Sequence, residues 1–337
     1  MDPLTQGLLG ASFGQALCGR TLGRHALVMG ALVGMAPDLD ALANATGPLA
    51  EWTWHRSLTH SLWFGPVLGP LVGYGLWKWK AGPLRAWILL AVVALITHPL
   101  LDLFTTYGTQ LLSPFSNRRF ALDAVAIIDP AYSLLLAGGL VIGWRAGLAT
   151  PVSRRAGWAA LGLSSLYLAL GLAVNERVEA MARKQLRAQG APASRVAAYP
   201  TLLQLPYRRI VARSDDEVRV GWMSLLRPRL IQWETFTQAR GPLVEAARAT
   251  PEAQLFEWFA MGEATPRAEP ATDGSVVEFD DLRFGLPGAP RDGFWGVRVR
   301  LDADARPLGP GERFDRDLPA PVSKLLRTIW RETLGLS

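Results

Sequence analysis

The sequence predicts an α-helical multi-pass membrane domain of about five to six segments, followed by a smaller α+β soluble domain. Half of the 337 residues are apolar and 19% are charged, against about 25% in a typical soluble domain. The charge is spread unevenly, since residues 1–175 carry 18 charged side chains and residues 176–337 carry the other 46. We therefore expect a membrane-embedded domain over 1–175 and a soluble domain over 176–337.

Six apolar segments account for the first domain, because a membrane helix needs about 20 mostly apolar residues. Five are long enough to be good candidates: 24–42, 58–77, 84–104, 124–145 and 156–175. The sixth, 4–18, is short and rich in glycine. We expect it to form a helical hairpin with the second segment, around a turn at 19–23.

Basic residues give these segments an orientation, because Lys and Arg concentrate on the cytoplasmic side of membrane proteins. If the segments alternate, one side receives eight basic residues: Arg20, Arg24, Lys78, Lys80, Arg85, Arg145, Arg154 and Arg155. The other side receives Arg56, Arg118 and Arg119. The prediction is a protein of the cytoplasmic membrane whose N-terminus, loops 43–57 and 105–123, and everything after 175 lie outside the cytoplasm.

Acidic residues and histidines gather on the predicted outer side. All seven acids of the first half lie at or near the outer ends of segments: Asp2, Asp38, Asp40, Glu51, Asp102, Asp123 and Asp129. His55, His60 and His98 join them, whereas His25 lies at the opposite end. Ionisable groups in membrane segments are rare and indicate function by default. The distribution predicts one polar site at the outer face.

The second half has the composition and the residue pattern of a soluble domain. Residues 175–189 read as a charged helix, and a final amphipathic helix is expected over 321–334. Six apolar or alternating runs separated by turn residues predict strands: 208–213, 217–226, 229–236, 253–260, 275–283 and 294–301. Cys18 is the single cysteine of the chain, which excludes an intrachain disulfide and a cysteine-rich metal site.

Three short motifs carry the chemistry of the predicted site. The first, 37–40, ends a segment with Asp38 and Asp40, two carboxylates that can both reach a cation at a helix end. The second, 55–60, opens and closes on histidine. In the third, spacing i, i+4 places His98 and Asp102 on one helical face.

Mixed nitrogen and oxygen ligands suit Zn²⁺, Mn²⁺ or Fe²⁺. The number of candidate histidine and aspartate ligands suffices for one ion or for two. Paired ions lie about 3.5–4 Å apart. Arg56, beside the first histidine of the second motif, is expected to stabilise negative charge on a substrate. Arg118 and Arg119 could do the same at the rim, or serve as plain loop cations.

Other interpretations of these residues stay open. A buried acid–histidine cluster also suits a transporter that passes a metal ion or a proton, although the predicted cytoplasmic side holds no acid. A structural hydrogen-bond network is the non-functional alternative, and it is favoured for Glu51 and Asp129. Ser57 or Ser61 beside His60 would allow a Ser/His hydrolase.

The motifs together resemble a known family. The runs 1–5, 37–40, 55–61, 97–102 and 111–115 are similar to those of the YdjM-like, LexA-regulated membrane-bound metal-dependent hydrolases. The likeness covers roughly the first 145 residues. It implies a bacterial multi-pass membrane protein that uses a divalent metal, zinc in the first place and manganese in the second, for hydrolysis.

The resemblance also implies which residues form the site. By analogy the metal ligands are Asp38, Asp40, His55, His60, His98 and Asp102. His55, as a further ligand or general base, and Arg56 are the expected catalytic residues. Asp2, Gln6 and Asp123 are candidates for a second shell. The family usually has histidine where this chain has Gln6, so either this residue contacts a ligand or one metal site is lost.

The expected reaction is attack of metal-activated water on an ester or phosphoester. A more distant similarity to zinc-dependent phospholipase C and to S1/P1-type nucleases hints at phosphoester cleavage. A site at lipid depth favours a lipid-linked substrate, with the bilayer as the expected partner and no nucleic acid. A degenerate member whose outer domain binds a partner is the remaining alternative, supported by Gln6 alone.

Overall fold

The computed structural model describes residues 1–336, with the side chains of Ala43 and Asn44 excepted. The chain forms two compact units. The first comprises Met1–Thr46, Trp54–Leu172 and Leu202–Gln204, and the second comprises Gly47–Thr53, Ala173–Thr201 and Leu205–Ser337. A short segment from the early part of the chain therefore belongs to the second unit.

The first half of the chain is helical. Its helices are α1 (Pro3–Phe13), α2 (Gly19–Leu22), α3 (Arg24–Met35), α4 (Ala50–Trp54), α5 (Phe64–Trp79), α6 (Leu84–Asp102), α7 (Pro130–Ala146) and α8 (Pro151–Ala188). A π-helical turn (Gly14–Cys18) joins α1 to α2, and 3-10 segments occupy Ala36–Thr46 and Leu58–His60. Each apolar segment predicted from the sequence contains helix. Gly23, with φ 57°, makes the predicted hairpin turn.

Three helical stretches of the described residues are long and apolar enough to cross a membrane: Arg24–Leu42, Leu84–Asp102 and Pro151–Ala188. The first of them combines α3 with part of the 3-10 segment that follows it. The predicted count of five to six spans stays a prediction. Two helices begin later than expected. The segment predicted from 58 becomes helical at Phe64, after a 3-10 turn, and the one predicted from 124 begins at Pro130. Asp129 caps the latter by accepting hydrogen bonds from the backbone of Ala131 and Tyr132.

Glycines let the helices of the first unit approach closely. A Cβ on Gly10 of α1 would lie 2.1 Å from the Gly30 carbonyl oxygen of α3. On α5, Gly69 and Gly73 face α6, where added Cβ atoms would lie 2.8 Å from the Val92 Cα and 2.5 Å from the Ile88 Cα. Small residues at such positions are the usual basis of helix packing in membranes. This packing fixes α1 against α3, and α5 against α6, the helix that carries His98 and Asp102.

The second unit contains two antiparallel four-stranded sheets within its described residues. The first is ordered β1 (Arg195–Pro200), β2 (Tyr207–Arg213), β3 (Glu217–Ser224) and β4 (Glu234–Thr237). The second is ordered β5 (Ala264–Ala271), β6 (Gly274–Asp281), β7 (Trp295–Leu301) and β8 (Glu312–Asp315). Helices α9 (Pro242–Arg248) and α10 (Pro251–Phe259) lie between the sheets in sequence, and α11 (Val322–Leu334) ends the unit.

One predicted strand of the second unit is wrong. Residues 253–260 belong to α10, because Thr250 caps the segment by accepting from the Ala253 N–H and Pro251 stands in its first turn. Ala253, Phe256 and Phe259 are buried, and their spacing of three is helical. The strand predicted over 229–236 is confined to β4.

A segment of the first half is built into the core of the second unit. Trp52 is fully buried, with its ring 4.9 Å from that of Phe256 and 5.4 Å from that of Phe259. The Arg313 guanidinium lies 5.0 Å above the Trp52 ring and donates a 2.8 Å hydrogen bond to Glu51. Burial acts to lower the pKa of Arg313, but the hydrogen bond and charge of Glu51 raise it above its ordinary value. Glu51 is thus a structural residue.

Candidate metal centre

Four side chains from three separate parts of the first unit converge at one point. Asp38 comes from the 3-10 segment after α3, His60 from the short turn before α5, and His98 and Asp102 from α6. One ligand atom from each lies within 4.8 Å of the others. His60, His98 and Asp102 are buried, and Asp38 is partly accessible. The i, i+4 spacing on α6 places its two members on one face, as the sequence predicts.

Five of the six distances between the four ligand atoms lie near the edge length of a tetrahedral ion site. The two histidine Nε2 atoms lie 2.9 Å apart, and each lies 3.4 Å from the Asp38 Oδ1. The Asp102 Oδ2 lies 3.3 Å from the His60 Nε2 and 3.5 Å from the His98 Nε2. Zinc–ligand bonds of about 2.0–2.1 Å imply tetrahedron edges of about 3.3–3.4 Å. The measured distances bracket that edge.

Both imidazoles are held with Nε2 toward the centre. The Nδ1 of His98 lies 2.6 Å from the Gly34 carbonyl oxygen, which can only accept, so Nδ1 carries the proton. The Nδ1 of His60 faces the Asp40 Oδ2 at 3.1 Å. Outer partners of this kind fix the tautomer and ring orientation of metal-binding histidines. The Nε2 lone pairs of both rings are therefore directed at the centre.

The carboxylates of the group also fit a cation. The Asp102 Oδ2, one of the four converging ligand atoms, is buried and has no hydrogen-bond partner among the described residues. A buried carboxylate oxygen without a donor is costly, and a bound cation would remove that cost. Two imidazole nitrogens with two carboxylate oxygens are a donor set that zinc and manganese accept.

Asp40 and His55 stand beside the four-residue group. Asp40 accepts from the Thr59 hydroxyl at 2.7 Å and the Arg56 backbone N–H at 3.1 Å, and its Oδ1 lies 2.6 Å from the His55 Nδ1. With its contact to His60, this carboxylate is surrounded by partners. His55 is partly accessible. Both are among the predicted ligands, and in the structure they form an acid–histidine dyad beside the four-residue group.

Arg56 is buried against the centre in a left-handed backbone conformation, with φ 61°. Its Nη1 donates to the Thr105 hydroxyl at 2.8 Å, and its Nε lies 3.3 Å from the Asp102 Oδ2. The guanidinium lies 4.9 Å from the centre of the Tyr107 ring, and that of Arg119 lies 5.4 Å from the same ring. Arg56 therefore offsets part of the negative charge of the group.

The predicted second-shell residues are found in different places. Gln6 donates to the Asp102 Oδ1 at 3.0 Å and to the His98 carbonyl oxygen at 3.1 Å. The amino group of Met1 contacts the same Asp102 oxygen. Asp2 instead caps α1, accepting from the Thr5 N–H and hydroxyl. Asp123 is in a left-handed conformation, φ 51°, with one buried carboxylate oxygen.

Two loop residues differ from what the sequence suggests. Arg118 is exposed, whereas Arg119 is buried and donates a 2.9 Å hydrogen bond to the Gly108 carbonyl oxygen. A plain loop cation describes the first of this pair but not the second. Asp129 accepts two hydrogen bonds from the Tyr167 hydroxyl in addition to its role at the cap of α7, which gives it a structural explanation.

Sequence reasoning missed several partners of the site: the Gly34 carbonyl and the side chains of Thr59, Thr105 and Tyr107. A backbone carbonyl leaves no trace in residue types. The hydroxyls are adjacent to recognised motifs, however, since Thr59 precedes His60 and Thr105 follows Asp102 by three. A search for hydroxyls beside the ligands would have found both.

Comparison with known proteins places this helical unit in context. The sequence profile described as YdjM inner membrane protein matches residues 1–178. The uncharacterized protein YfhP of Bacillus subtilis strain 168 is 32% identical over 127 residues, which are 36% of this chain and 38% of that protein. The inner membrane protein YbcI of Escherichia coli K12 is 33% identical over 124 residues, 35% of this chain and 69% of YbcI. No solved structure matches the chain.

Proposed function

Since the chain belongs to the YdjM inner membrane protein family, we propose that it is a membrane-bound metal-dependent hydrolase. The observation that carries the proposal is the four-atom group of Asp38, His60, His98 and Asp102, with edges that suit a tetrahedral ion. These four residues would hold one divalent ion, zinc in the first place and manganese in the second. When bound, such an ion supplies Lewis-acid chemistry and lowers the pKa of a water molecule toward neutrality.

The second predicted pair of ligands has a different proposed role. Asp40 orients the rings of His55 and His60 by accepting at their Nδ1 atoms, and it acts as a positioning residue. His55, partly accessible and held by this carboxylate, is the general base that takes a proton at Nε2. An aspartate hydrogen-bonded to Nδ1 stabilises the imidazolium that forms.

The charges of the site favour an anionic substrate. Asp38, Asp40 and Asp102 contribute three negative charges, and Arg56 with one divalent ion contributes three positive charges. The charges of these side chains and the ion sum to zero without the Met1 amino group, which contacts Asp102, so a phosphoester would meet no net repulsion from them. Arg56 would stabilise charge that develops on the substrate as bonds change.

Apolar side chains at the site favour a lipid-linked substrate. Leu39 and Leu58 adjoin ligand residues in sequence and are exposed. Trp63 and Phe115 are exposed as well, with their rings 6.1 Å apart. A hydrocarbon chain could contact these groups while the ester reaches the metal centre. The distribution of Lys and Arg supports a location of the site and the second unit on the outer side of the inner membrane.

Metal analysis of the purified protein tests the proposal. We expect about one zinc or manganese per chain, and hydrolysis of members of a phosphoester and lipid ester panel. His98→Ala should abolish both, because it removes one of the four ligands. His25→Ala is the matched control, since this histidine lies outside the group, and it should retain both. Full metal content in the His98→Ala protein would refute the ligand assignment.

A second experiment, uptake into sealed vesicles, separates the hydrolase from a transporter. Within the described residues, this is the one group of three or more His, Cys, Asp or Glu side chains that could hold a metal ion, and it lies at one end of α6. A transport path needs ionisable groups on both halves of the membrane. Metal-dependent uptake into sealed vesicles, without hydrolysis of any ester, would favour transport instead.

A further inference from the structure

The second unit carries an exposed surface that is both apolar and basic. Its apolar members are Leu226, Leu230, Trp330, Leu334 and Leu336, all exposed. Its basic members are Arg227, Arg229, Arg327 and Arg331, also exposed. We call these nine residues the Leu–Arg patch. Exposed apolar groups of this size are common singly, but a group of them indicates an interaction surface.

Contacts hold the two parts of the patch together. The Ser224 hydroxyl donates a 2.7 Å hydrogen bond to the Thr333 carbonyl oxygen, which ties the end of β3 to α11. Arg229 donates to the Gly335 carbonyl oxygen at 3.0 Å. The side chain of Arg227 also covers Gly335, because a Cβ on that glycine would lie 2.9 Å from it. The loop after β3 and the end of α11 therefore form one surface.

Helix α11 is amphipathic, and part of its apolar face stays exposed after the helix has packed on its own unit. Leu325 and Ile329 are buried against Tyr207 and Leu286. Trp330 and Leu334, one turn apart, continue the apolar face outward and stay exposed, at 45% each. Arg331 follows Trp330 directly. An apolar stripe with tryptophan, flanked by arginines, is typical of helices that lie in a membrane interface.

We propose that the Leu–Arg patch docks on the surface of a bilayer that contains anionic phospholipid. The leucines and Trp330 would enter the interfacial region, and the arginines would contact lipid phosphates, as basic residues near membranes do. Glu332 is the acidic residue within the stretch 330–336, so the patch carries a net positive charge. A cavity of about 660 Å³, whose charged lining residues are Arg227, Arg229, Glu234 and Glu332, gives room for a lipid headgroup.

The second unit is covalently continuous with a candidate membrane-spanning helix. Helix α8 is long and apolar enough to cross a membrane and continues to Ala188, inside the second unit. A surface tethered in this way binds at a high effective concentration of membrane. Modest affinity for lipid is therefore enough for docking.

Environment-sensitive probes on the full chain test the proposal. The Cys18→Ser protein has no other cysteine, so Leu230→Cys and Leu334→Cys can each carry one nitrobenzoxadiazole label. Leu308→Cys is the matched control, an exposed leucine of the same unit outside the patch. The labelled proteins are reconstituted in phosphatidylcholine, alone or mixed equally with phosphatidylglycerol. In mixed vesicles we expect a blue shift and a severalfold rise in emission at 230 and 334, and neither at 308.

The charge dependence and the competing partner are tested in the same system. Replacing Arg227, Arg229 and Arg331 by glutamine should abolish the extra signal from phosphatidylglycerol, and high salt should reduce it because salt screens exposed charges. Emission at 230 and 334 equal to that at 308 in both lipids would overturn the proposal. A blue shift that disappears when the protein is diluted into excess lipid would indicate a second copy of the chain, and would overturn it also.

Discussion

Asp38 and Asp40 stand two residues apart but contact different atoms. Asp38 presents Oδ1 to the Nε2 atoms of both His60 and His98, at 3.4 Å each. Asp40 contacts the opposite ring nitrogen of His60, together with His55 and Thr59. The 3-10 path of Ala36–Thr46 turns the two side chains to these positions. One carboxylate is thereby suited to bind an ion and the other to orient its ligands.

This difference predicts unequal effects of two similar substitutions. Asp38→Asn removes a charged ligand and should abolish metal binding at ordinary concentrations. Asp40→Asn leaves the four ligands in place and should weaken metal affinity about 10- to 100-fold, the usual effect of losing an outer partner. A competition titration with a chelator measures both. Asp129→Asn serves as the control, because this buried carboxylate caps α7. Equal losses for Asp38→Asn and Asp40→Asn would contradict the separate roles.

At this scale the sequence predicted well what local spacing determines. The pair on α6 follows from helical periodicity, and Asp38 and His60 follow from residue type and position at segment ends. The separate role of Asp40 depends on tertiary approach, which no spacing shows. The burial of Arg119 beside exposed Arg118 is of the same kind, since two adjacent arginines in a loop look alike in the sequence.

Helix α5 packs on α6 through one row of glycines. Gly65, Gly69 and Gly73 are buried along this row, and each lies against the backbone of α6. A membrane environment gives no hydrophobic drive to helix association, so close packing of this kind has to supply it. Gly75, on the same helix, has open space where a Cβ would be added.

The row predicts a contrast between two alanine substitutions on one helix. Gly73→Ala places a methyl group 2.5 Å from the Ile88 Cα, and overpacking of this kind should cost about 1–3 kcal/mol. Gly75→Ala should be neutral or stabilise slightly, by up to about 1 kcal/mol, because alanine favours helix over glycine. Thermal unfolding of both proteins in the same detergent measures the difference. Equal melting temperatures would show that α5 and α6 do not rely on this contact.

Among the elements, the sequence failed to predict those whose residue pattern is atypical of the structure that they form. Strand β5 contains Pro266 and Pro270, which disfavour a strand in the interior of a sheet, but β5 lies at an edge, where proline is tolerated. Strand β8 has four residues, too few for a periodic signal. The segment 253–260 has an apolar content that suits strand or helix, and its capping residue decides for helix. The apolar helices of the first half were predictable because their composition is extreme.

The chain passes from one unit to the other at more than one point. Besides α8, the chain enters the second unit at Gly47–Thr53 and returns to the first at Trp54. This excursion lies between Asp40 and His55, two residues that contact each other at 2.6 Å. No composition signal marks it, because a tryptophan in a loop reads as an interface residue. A stretch of chain in the core of the second unit thus lies, in sequence, between two residues that stand beside the candidate metal centre.

This arrangement predicts that a core mutation in the second unit changes metal affinity in the first. Trp52→Ala removes a fully buried ring from Phe256, Phe259 and Arg313, and should destabilise the second unit by about 3–5 kcal/mol. The segment Gly47–Thr53 then becomes flexible. Bringing Asp40 into contact with His55 then costs the conformational entropy of closing the loop between them. Chelator titration should therefore show weaker metal binding in Trp52→Ala. Trp54→Ala is the matched control, since that neighbouring ring is 56% exposed and its loss should change neither quantity beyond about 0.5 kcal/mol. Unfolding of the second unit in Trp52→Ala with unchanged metal affinity would show that metal binding does not depend on the anchoring of this segment in the second unit.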